Sequence, residues 1–340
     1  MTGLIEPAVS DGIADFADAV AALDTGAGRA VIAGLMESGA DPISVIDEVI
    51  TPSQREVGLR WQGGQWSVAQ QHAATEVALA GADEIARRLA PPRRPVGLVV
   101  LACAEREWHS LTVRLLGLAM RSAGWQTAVL GAGVSTVRLS RALHELGPDA
   151  TAISCSVLAG LPTSRRFIEV SAAAGVPTVV GGAAFGPDAA RADALGANAW
   201  AASARGAVHA LAGLPLIAPV VPALARDLQT ELIAVQAQQR SLHTELAAHW
   251  RPLGELGPAG PDTPAEVVGD CVDQALAAVL AALLTGDGNV LAETRTWVTD
   301  VLRARGDSSA AEHADQLGQR LGRYLREYPG SYQALQRGWN

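Results

Sequence analysis

Val96-Gly97-Leu98-Val99-Val100-Leu101-Ala102-Cys103 is a continuous apolar run, and the polar segment Ala104-Glu105-Arg106-Glu107-Trp108-His109-Ser110-Leu111-Thr112 follows it directly. An unbroken apolar run of this length reads as a strand covered on both faces, as in a parallel sheet. Downstream the pattern switches repeatedly between helical and strand periodicity. It predicts a helix over 110–123, strand 127–130, helix 135–146, strand 150–154, helix 163–174, strand 178–180, helix 187–195, a short run at Ala199-Trp200 and a helix over 204–211. Five β-α units with short connections predict a doubly wound parallel sheet, flavodoxin-like or Rossmann-like. Such sheets bind ligands outside the carboxyl ends of their strands. The loops to inspect therefore begin near 104, 131, 155 and 181.

Helices flank this block on both sides. Asp41-Pro42 is a helix start, a cap followed by proline at the first position, and Val45, Ile46, Val49 and Ile50 keep one face apolar. A second start at Ser67 leads into Val68, Val77, Leu79 and Ile85, and Ala90-Pro91-Pro92 ends the block. Residues 9–91 thus read as a small helical bundle. Pro215, Pro219 and Pro222 punctuate a linker. Beyond it, three apolar stripes recur at helical spacing: Leu232/Val235/Leu242/Leu246, Val272/Leu276/Val279/Leu280/Leu283/Leu284 and Leu317/Leu321/Tyr324/Leu325/Tyr328. Residues 252–264, with four prolines and three glycines, read as a loop. The expected organisation is multidomain α and α/β: a helical bundle over 9–91, the parallel-sheet domain over 95–213 and an all-α domain over 223–340.

Composition removes several classes of function. The 340 residues are 49% apolar and 18% charged, which suits folded cores rather than disorder. Net charge is −9 and every one of the 26 basic residues is arginine, so a general attraction to nucleic acid or to an anionic membrane is not expected. Without lysine, Schiff-base chemistry is excluded. Met1–Ser10 has neither a basic start nor an apolar centre, so no signal peptide is read, and no uninterrupted apolar stretch predicts a membrane span. Cys103, Cys155 and Cys271 form no CxxC pair and read as buried thiols of a cytoplasmic protein. No GxSxG, HExxH, P-loop or GxGxxG signature follows the first strand, and Gly131-Ala132-Gly133 reads as a turn, so no independent enzyme is expected.

Three loops at the ligand edge share one pattern. Glu107-x-His109 follows the first strand, 41 residues separate Thr112 from Ser154, Ser154-Cys155-Ser156-Val157-Leu158 follows the third, and 24 residues separate Ser156 from Gly181-Gly182. This set resembles the cobalamin-binding domain of methionine synthase, the mutases, the corrinoid methyl carriers and the light-sensing cobalamin repressors. The resemblance covers roughly 9–213. It implies that His109 ligates cobalt from below, with Glu107 bonded to its other ring nitrogen. Trp108 flanks it in the same loop. Ser154 then bonds the displaced base of the cofactor's nucleotide tail, and Ser156, Leu158, Gly181 and Gly182 line the tail's path. Thr112 departs from the family, which has glycine there. Trp61-Gln62-Gly63-Gly64, with Gln71-His72 ten residues after the tryptophan, resembles the helical cap of the repressors. That resemblance implies adenosylcobalamin as the cofactor, with Trp61, Gln71 and His72 around its upper ligand. The repressors can carry His after the tryptophan, where Gln62 stands here. Their DNA-binding module has no counterpart ahead of residue 9, so no nucleic-acid partner is expected.

The added C-terminal helices make the whole resemble the photocobilins, photoreceptors that join a cobalamin domain to a bilin-binding helical domain. This implies biliverdin as a second chromophore and a light-dependent homo-oligomer with an unspecified downstream protein partner and no membrane. A bilin needs aromatic walls and Arg or His for its propionates and pyrroles. The candidates are His243, His249, Trp250, Arg320, Tyr324 and Tyr328, with Trp297, Arg303, His313 and Tyr332 further possibilities. Cys271 is read at the start of a helix, where it could form a thioether, but core packing is the reading preferred for it. A globin-like haem domain using His249 or His313 is a further option. The rivals to the sensor are a corrinoid methyl carrier using the same His109 loop, and a scaffold whose C-terminal helices only bind a partner.

Overall fold

The computed structural model describes residues 7–105, 107–252 and 262–339. Most of the loop expected over 252–264 and the first six residues lie outside them. The chain divides into two compact units, Met1–Gly58 with Ala69–Val221, and Leu59–Val68 with Pro222–Asn340.

The first unit opens with helices α1 (Pro7–Ala21) and α2 (Thr25–Glu37). A helical stretch follows, built from α3 (Pro42–Ser44), a π-helical turn Val45–Ile50 and α4 (Thr51–Gln62), and then α5 (Val68–Arg88). Asp41 caps this stretch, accepting from Ser44 N at 3.2 Å, with Pro42 in the first turn. Val45, Ile46, Val49 and Ile50 are all buried, and Phe16, Ile32, Val77 and Ile85 share their core.

The sheet follows: β1 (Leu98–Cys103), α6 (Ser110–Ser122), β2 (Gln126–Gly131), α7 (Thr136–Leu146), β3 (Ala150–Ser154), α8 (Leu161–Ala173), β4 (Thr178–Gly181), α9 (Ala190–Ala194), β5 (Ala199–Ala201) and α10 (Ala204–Ala212). All pairings are parallel and the strand order is β2-β1-β3-β4-β5, the flavodoxin-like order. The first strand starts at Leu98 rather than Val96, whose side chain is exposed. Val99, Leu101, Ala150, Ala152 and Val179 pack with Met120 of α6 and with Ala207 and Leu211 of α10 on one face. Helices α7 and α8 pack on each other and against the sheet. The helical segment docks on the sheet block through the π-helical turn. There the Asp47 carboxylate accepts from Ala204 N at 2.9 Å and Arg205 N at 3.0 Å, and the Arg205 guanidinium returns to Asp41 at 3.0 Å. An anion at a helix N-terminus meets both the unpaired N–H groups and the positive end of the dipole.

The second unit is all-α: α11 (Arg226–His249), α12 (Pro264–Thr285), α13 (Asn289–Ala304), α14 (Ala310–Tyr324) and α15 (Pro329–Gly338). Helix α12 opens on a capping box, Thr263 with Glu266. It is long and apolar enough to cross a membrane by length and composition, yet 72% of that stretch is buried. Its neighbours supply the apolar surroundings, so it is a core helix.

Three expectations change here. Trp250 is buried to 1% and its indole N–H donates to His313 O at 3.0 Å, so it is core and not a wall open to a ligand. Cys271 lies inside α12 and is fully buried, not at a helix start. The stripe read through Tyr324 and Tyr328 breaks. Leu317, Leu321 and Leu325 are buried, but α14 stops at Tyr324 and Tyr328 sits at the start of α15. His313, Arg320 and Tyr324 therefore share a helix that Tyr328 does not.

Candidate cobalamin site

Register places Cys103 beside Ser154 and Ser154 beside Gly181, so three strands end in one row. With strands about 4.8 Å apart, the loops after β1, β3 and β4 open within roughly 10 Å of one another. The order reverses between β1 and β3, the switch point at which doubly wound sheets bind ligands.

Glu107 holds this row together. It is fully buried. Its Oε1 lies 2.6 Å from His109 Nδ1 and accepts from His109 N at 2.8 Å, while its Oε2 accepts from Ser156 N at 2.5 Å. One carboxylate thus ties the β1 loop to the β3 loop. Burial alone would raise its pKa. The bonds from the His109 ring and from the two backbone N–H groups outweigh that and keep the carboxyl below its ordinary range. The same contact raises the pKa of His109 against the opposing effect of burial. With Nδ1 bonded to Glu107, Nε2 is the nitrogen left for a ligand, and among the described residues it has no hydrogen-bond partner. The His109 side chain is 61% exposed.

The neighbouring thiols do not compete for a metal. Burial, then the charge of Glu107, pushes Cys103 up to about 12, and the same two causes push Cys155 up to about 12. Both stay protonated at neutral pH, and thiolates are the ligating form. Among the described residues no group of three His, Cys, Asp or Glu side chains could hold a metal ion. A metal taken by His109 alone must bring its other ligands, as cobalt in a corrin does.

Ser154 is 2% exposed and its Oγ is buried without a hydrogen-bond partner among the described residues. An unmade bond at a buried hydroxyl costs about 1–3 kcal/mol, and a ligand nitrogen arriving at the end of β3 would satisfy it. That orphan, with an exposed imidazole held by a buried carboxylate, fits a cobalamin with a displaced tail base. Gly182 adopts φ +106°, and a Cβ there would lie 2.4 Å from Cys155 O. Gly181 is equally close to Ala201 O, at 2.6 Å. The glycine pair is thus demanded by the neighbouring strand ends, a different reason from the close approach of a tail. Leu158 starts a short 3-10 turn and is half-buried. Trp108 is 74% exposed, and its ring lies against Gly133 of the β2 loop.

The remaining candidates sit on other elements. Gln71 and His72 sit in the first turns of α5, half-buried and exposed respectively, and no hydrogen bond joins either side chain to the His109 loop among the described residues. Trp61 belongs to the second unit, where its ring stacks on Trp297 with centroids 5.9 Å apart. Of the bilin candidates, His243 Nδ1 is 2.6 Å from Asp273, His249 Nδ1 bonds Glu245 O at 2.8 Å, and Tyr324 interacts with Glu245. Arg320 and Tyr328 are half-buried. Sequence reasoning missed Thr163, whose hydroxyl bonds Glu105 O at 2.9 Å and steadies the His109 loop, and Arg305, which holds the Trp61 turn. No local spacing signals either one.

Comparison with known proteins agrees with this geometry. Residues 97–212 match a family described as B12 binding domain, and residues 13–85 match a second family of that description. The chain is a cobalamin-binding protein. It is 32% identical over 113 residues to the HTH-type transcriptional repressor CarH of Myxococcus xanthus, a match covering 33% of this chain and 37% of the repressor. It is 27% identical over 201 residues to the trimethylamine corrinoid protein 1 of Methanosarcina mazei, covering 57% of this chain and 89% of that protein. The chain thus spans little more than a third of the repressor's length. In fold it is similar to the Methanosarcina barkeri monomethylamine corrinoid protein, with a TM-score of 0.53 at 16% identity over 60% of this chain and 99% of that one.

Proposed function

We propose that this chain is a cytoplasmic photoreceptor that binds adenosylcobalamin, with His109 as the side chain that would hold its cobalt. The observation that carries the ligand assignment is the Glu107–His109 pair, a buried carboxylate that fixes the ring and leaves Nε2 for the metal. Bound adenosylcobalamin would supply a Co–C bond that visible light breaks. The protein's own residues do the rest. Glu107 orients the ring, the Ser154 hydroxyl holds the displaced base, and the β3 and β4 loops receive the nucleotide tail. Trp61 flanks the upper ligand, as the resemblance to the repressors implies. The resemblance to the photocobilins extends the reading to biliverdin on the C-terminal helices, among His243, Arg320, Tyr324 and Tyr328, and to a light-dependent change of oligomeric state.

A second reading is favoured by one observation: the match to the trimethylamine corrinoid protein runs over 89% of that protein. In it the chain carries methyl groups on the same His109-ligated corrinoid. Upper-ligand preference separates the two. The purified chain is offered adenosylcobalamin, methylcobalamin and biliverdin in the dark, then illuminated with green light while absorption and hydrodynamic size are followed. Preferential retention of adenosylcobalamin, a cobalamin band that changes on illumination and a retained red bilin band are expected. Preference for methylcobalamin with no change of size in light would favour the carrier.

A further inference from the structure

The second unit contains a clasp that no role described so far uses. Arg305 follows α13 and is 5% exposed. Its guanidinium donates to Trp61 O at 3.3 Å, Gln62 O at 3.2 Å, Val301 O at 3.2 Å and Asp262 Oδ2 at 3.1 Å. The first two carbonyls belong to the last residues of α4, which have no partner within their own helix. A cation there also meets the negative end of the helix dipole.

The ring of Trp61 is held as well as its backbone. The guanidinium carbon lies 5.3 Å from the ring centroid, within cation–π range. Trp297 stacks on the indole with planes 28° apart. Gly64 closes the turn with φ +67°, and a Cβ there would lie 3.0 Å from Ala304 O, the residue before Arg305. Against all this, the indole N–H of Trp61 is buried and makes no hydrogen bond among the described residues. Its faces and backbone are gripped and its edge is not. A ring held by face contacts can shift without breaking a directional bond.

We infer that Arg305 and Trp297 position the turn carrying Trp61, so that the end of α13 registers what that indole touches. The inference rests on the cobalamin reading, in which Trp61 flanks the upper ligand. Neither residue touches the cofactor in this account, so both are positioning residues. The clasp joins a turn at 61–64 to residues near 300 within the second unit.

Amide hydrogen exchange on the full chain tests this, without cobalamin, with adenosylcobalamin in the dark, and after illumination. In the wild type, dark loading is expected to slow exchange at 104–112 and also at 289–304, and light is expected to reverse the second effect. Trp297→Leu and Arg305→Lys should keep the protection at 104–112 and lose it at 289–304. Trp297→Phe, which retains an aromatic face, should restore it. Trp297 is only half-buried, so its variants are the milder test of the pair. The inference is overturned if the wild type is protected at 104–112 and not at 289–304, or if Trp297→Leu and Arg305→Lys behave like the wild type. Absence of protection at 104–112 in the wild type would locate the failure in the cobalamin reading, and the inference would fall with it.

Discussion

A carboxylate with no exposure has to be held by donors, and Glu107 has three: the His109 ring, His109 N and Ser156 N. Each half of that arrangement can be removed separately. Glu107→Gln keeps the shape but loses the charge that polarises the imidazole, and second-shell losses of this kind lower metal affinity about 10–100-fold. Titration with adenosylcobalamin in the dark should show that drop, and because the amide nitrogen cannot accept from the backbone N–H it then faces, the thermal unfolding midpoint should also fall, by less than in Glu107→Ala. Glu107→Ala should also leave two buried N–H groups unpaired at about 1–3 kcal/mol each, and so lower the unfolding midpoint of the apoprotein. A different carboxylate reports on the second unit. Asp270 lies at the surface, yet partial desolvation by its neighbours, then the charges of Asp273, Asp262 and Glu266, pushes it from 3.8 up to about 6, against the pull of Arg305. A carboxyl whose folded pKa lies above its unfolded value gives stability that is present below 3.8 and is lost as pH rises through about 6. Asp270→Asn should therefore raise denaturant stability at pH 7.5 relative to the wild type and leave it unchanged near pH 3. An equal gain at both pH values would refute the assignment.

The elements most legible in the sequence were those whose environment is uniform. β1 and β3 are buried on both faces, and in β1 the apolar run is unbroken. Asp41-Pro42 marked a helix start because capping chemistry is local. The π-helical turn was not legible, since its one extra residue leaves Val45, Ile46, Val49 and Ile50 as apolar as an α-helix would. Its use is visible only in space, where Asp47 caps α10, 157 residues away in sequence. Removing that cap with Asp47→Ala should cost about 1–2 kcal/mol in urea unfolding, whereas Asp47→Asn should lose less. Gly182→Ala should be harsher than either. It forces a side chain into a left-handed backbone and within 2.4 Å of a carbonyl oxygen, so the soluble yield should collapse. Normal yield and stability in Gly182→Ala would show that the β4 loop tolerates rearrangement. The helical stripes of the second unit misled at their ends for a related reason. Spacing cannot tell a residue on the last turn of α14 from one at the start of α15, and so Tyr328 was grouped with Tyr324.

At the scale of the whole molecule, the candidate site separates into parts that sequence could and could not reach. Glu107, His109, Ser154 and Gly181-Gly182 were reachable because the sheet brings strand ends into one row, and topology follows from the β-α rhythm. The partners of Trp61 were not. Arg305 lies 244 residues from it, and nothing in the composition around either residue announces the pairing. Trp250 looked like a chromophore wall because a tryptophan beside two histidines has the right chemistry. Only packing shows that its indole is spent on His313 O. The grouping of Leu59–Val68 with the C-terminal helices likewise belongs to three dimensions.

The central assignment is that His109 Nε2, and not the cofactor's own base, would ligate the cobalt. Electron paramagnetic resonance of the photolysed, oxygen-free protein in its cob(II)alamin state tests this directly, with histidine alone labelled by the heavier nitrogen isotope. The account predicts that each cobalt line, a triplet with natural nitrogen, becomes a doublet in the labelled wild type, and that this doublet is absent in His109→Ala. Triplets that persist in the labelled wild type would mean that the cofactor's base still holds the metal, and would contradict it.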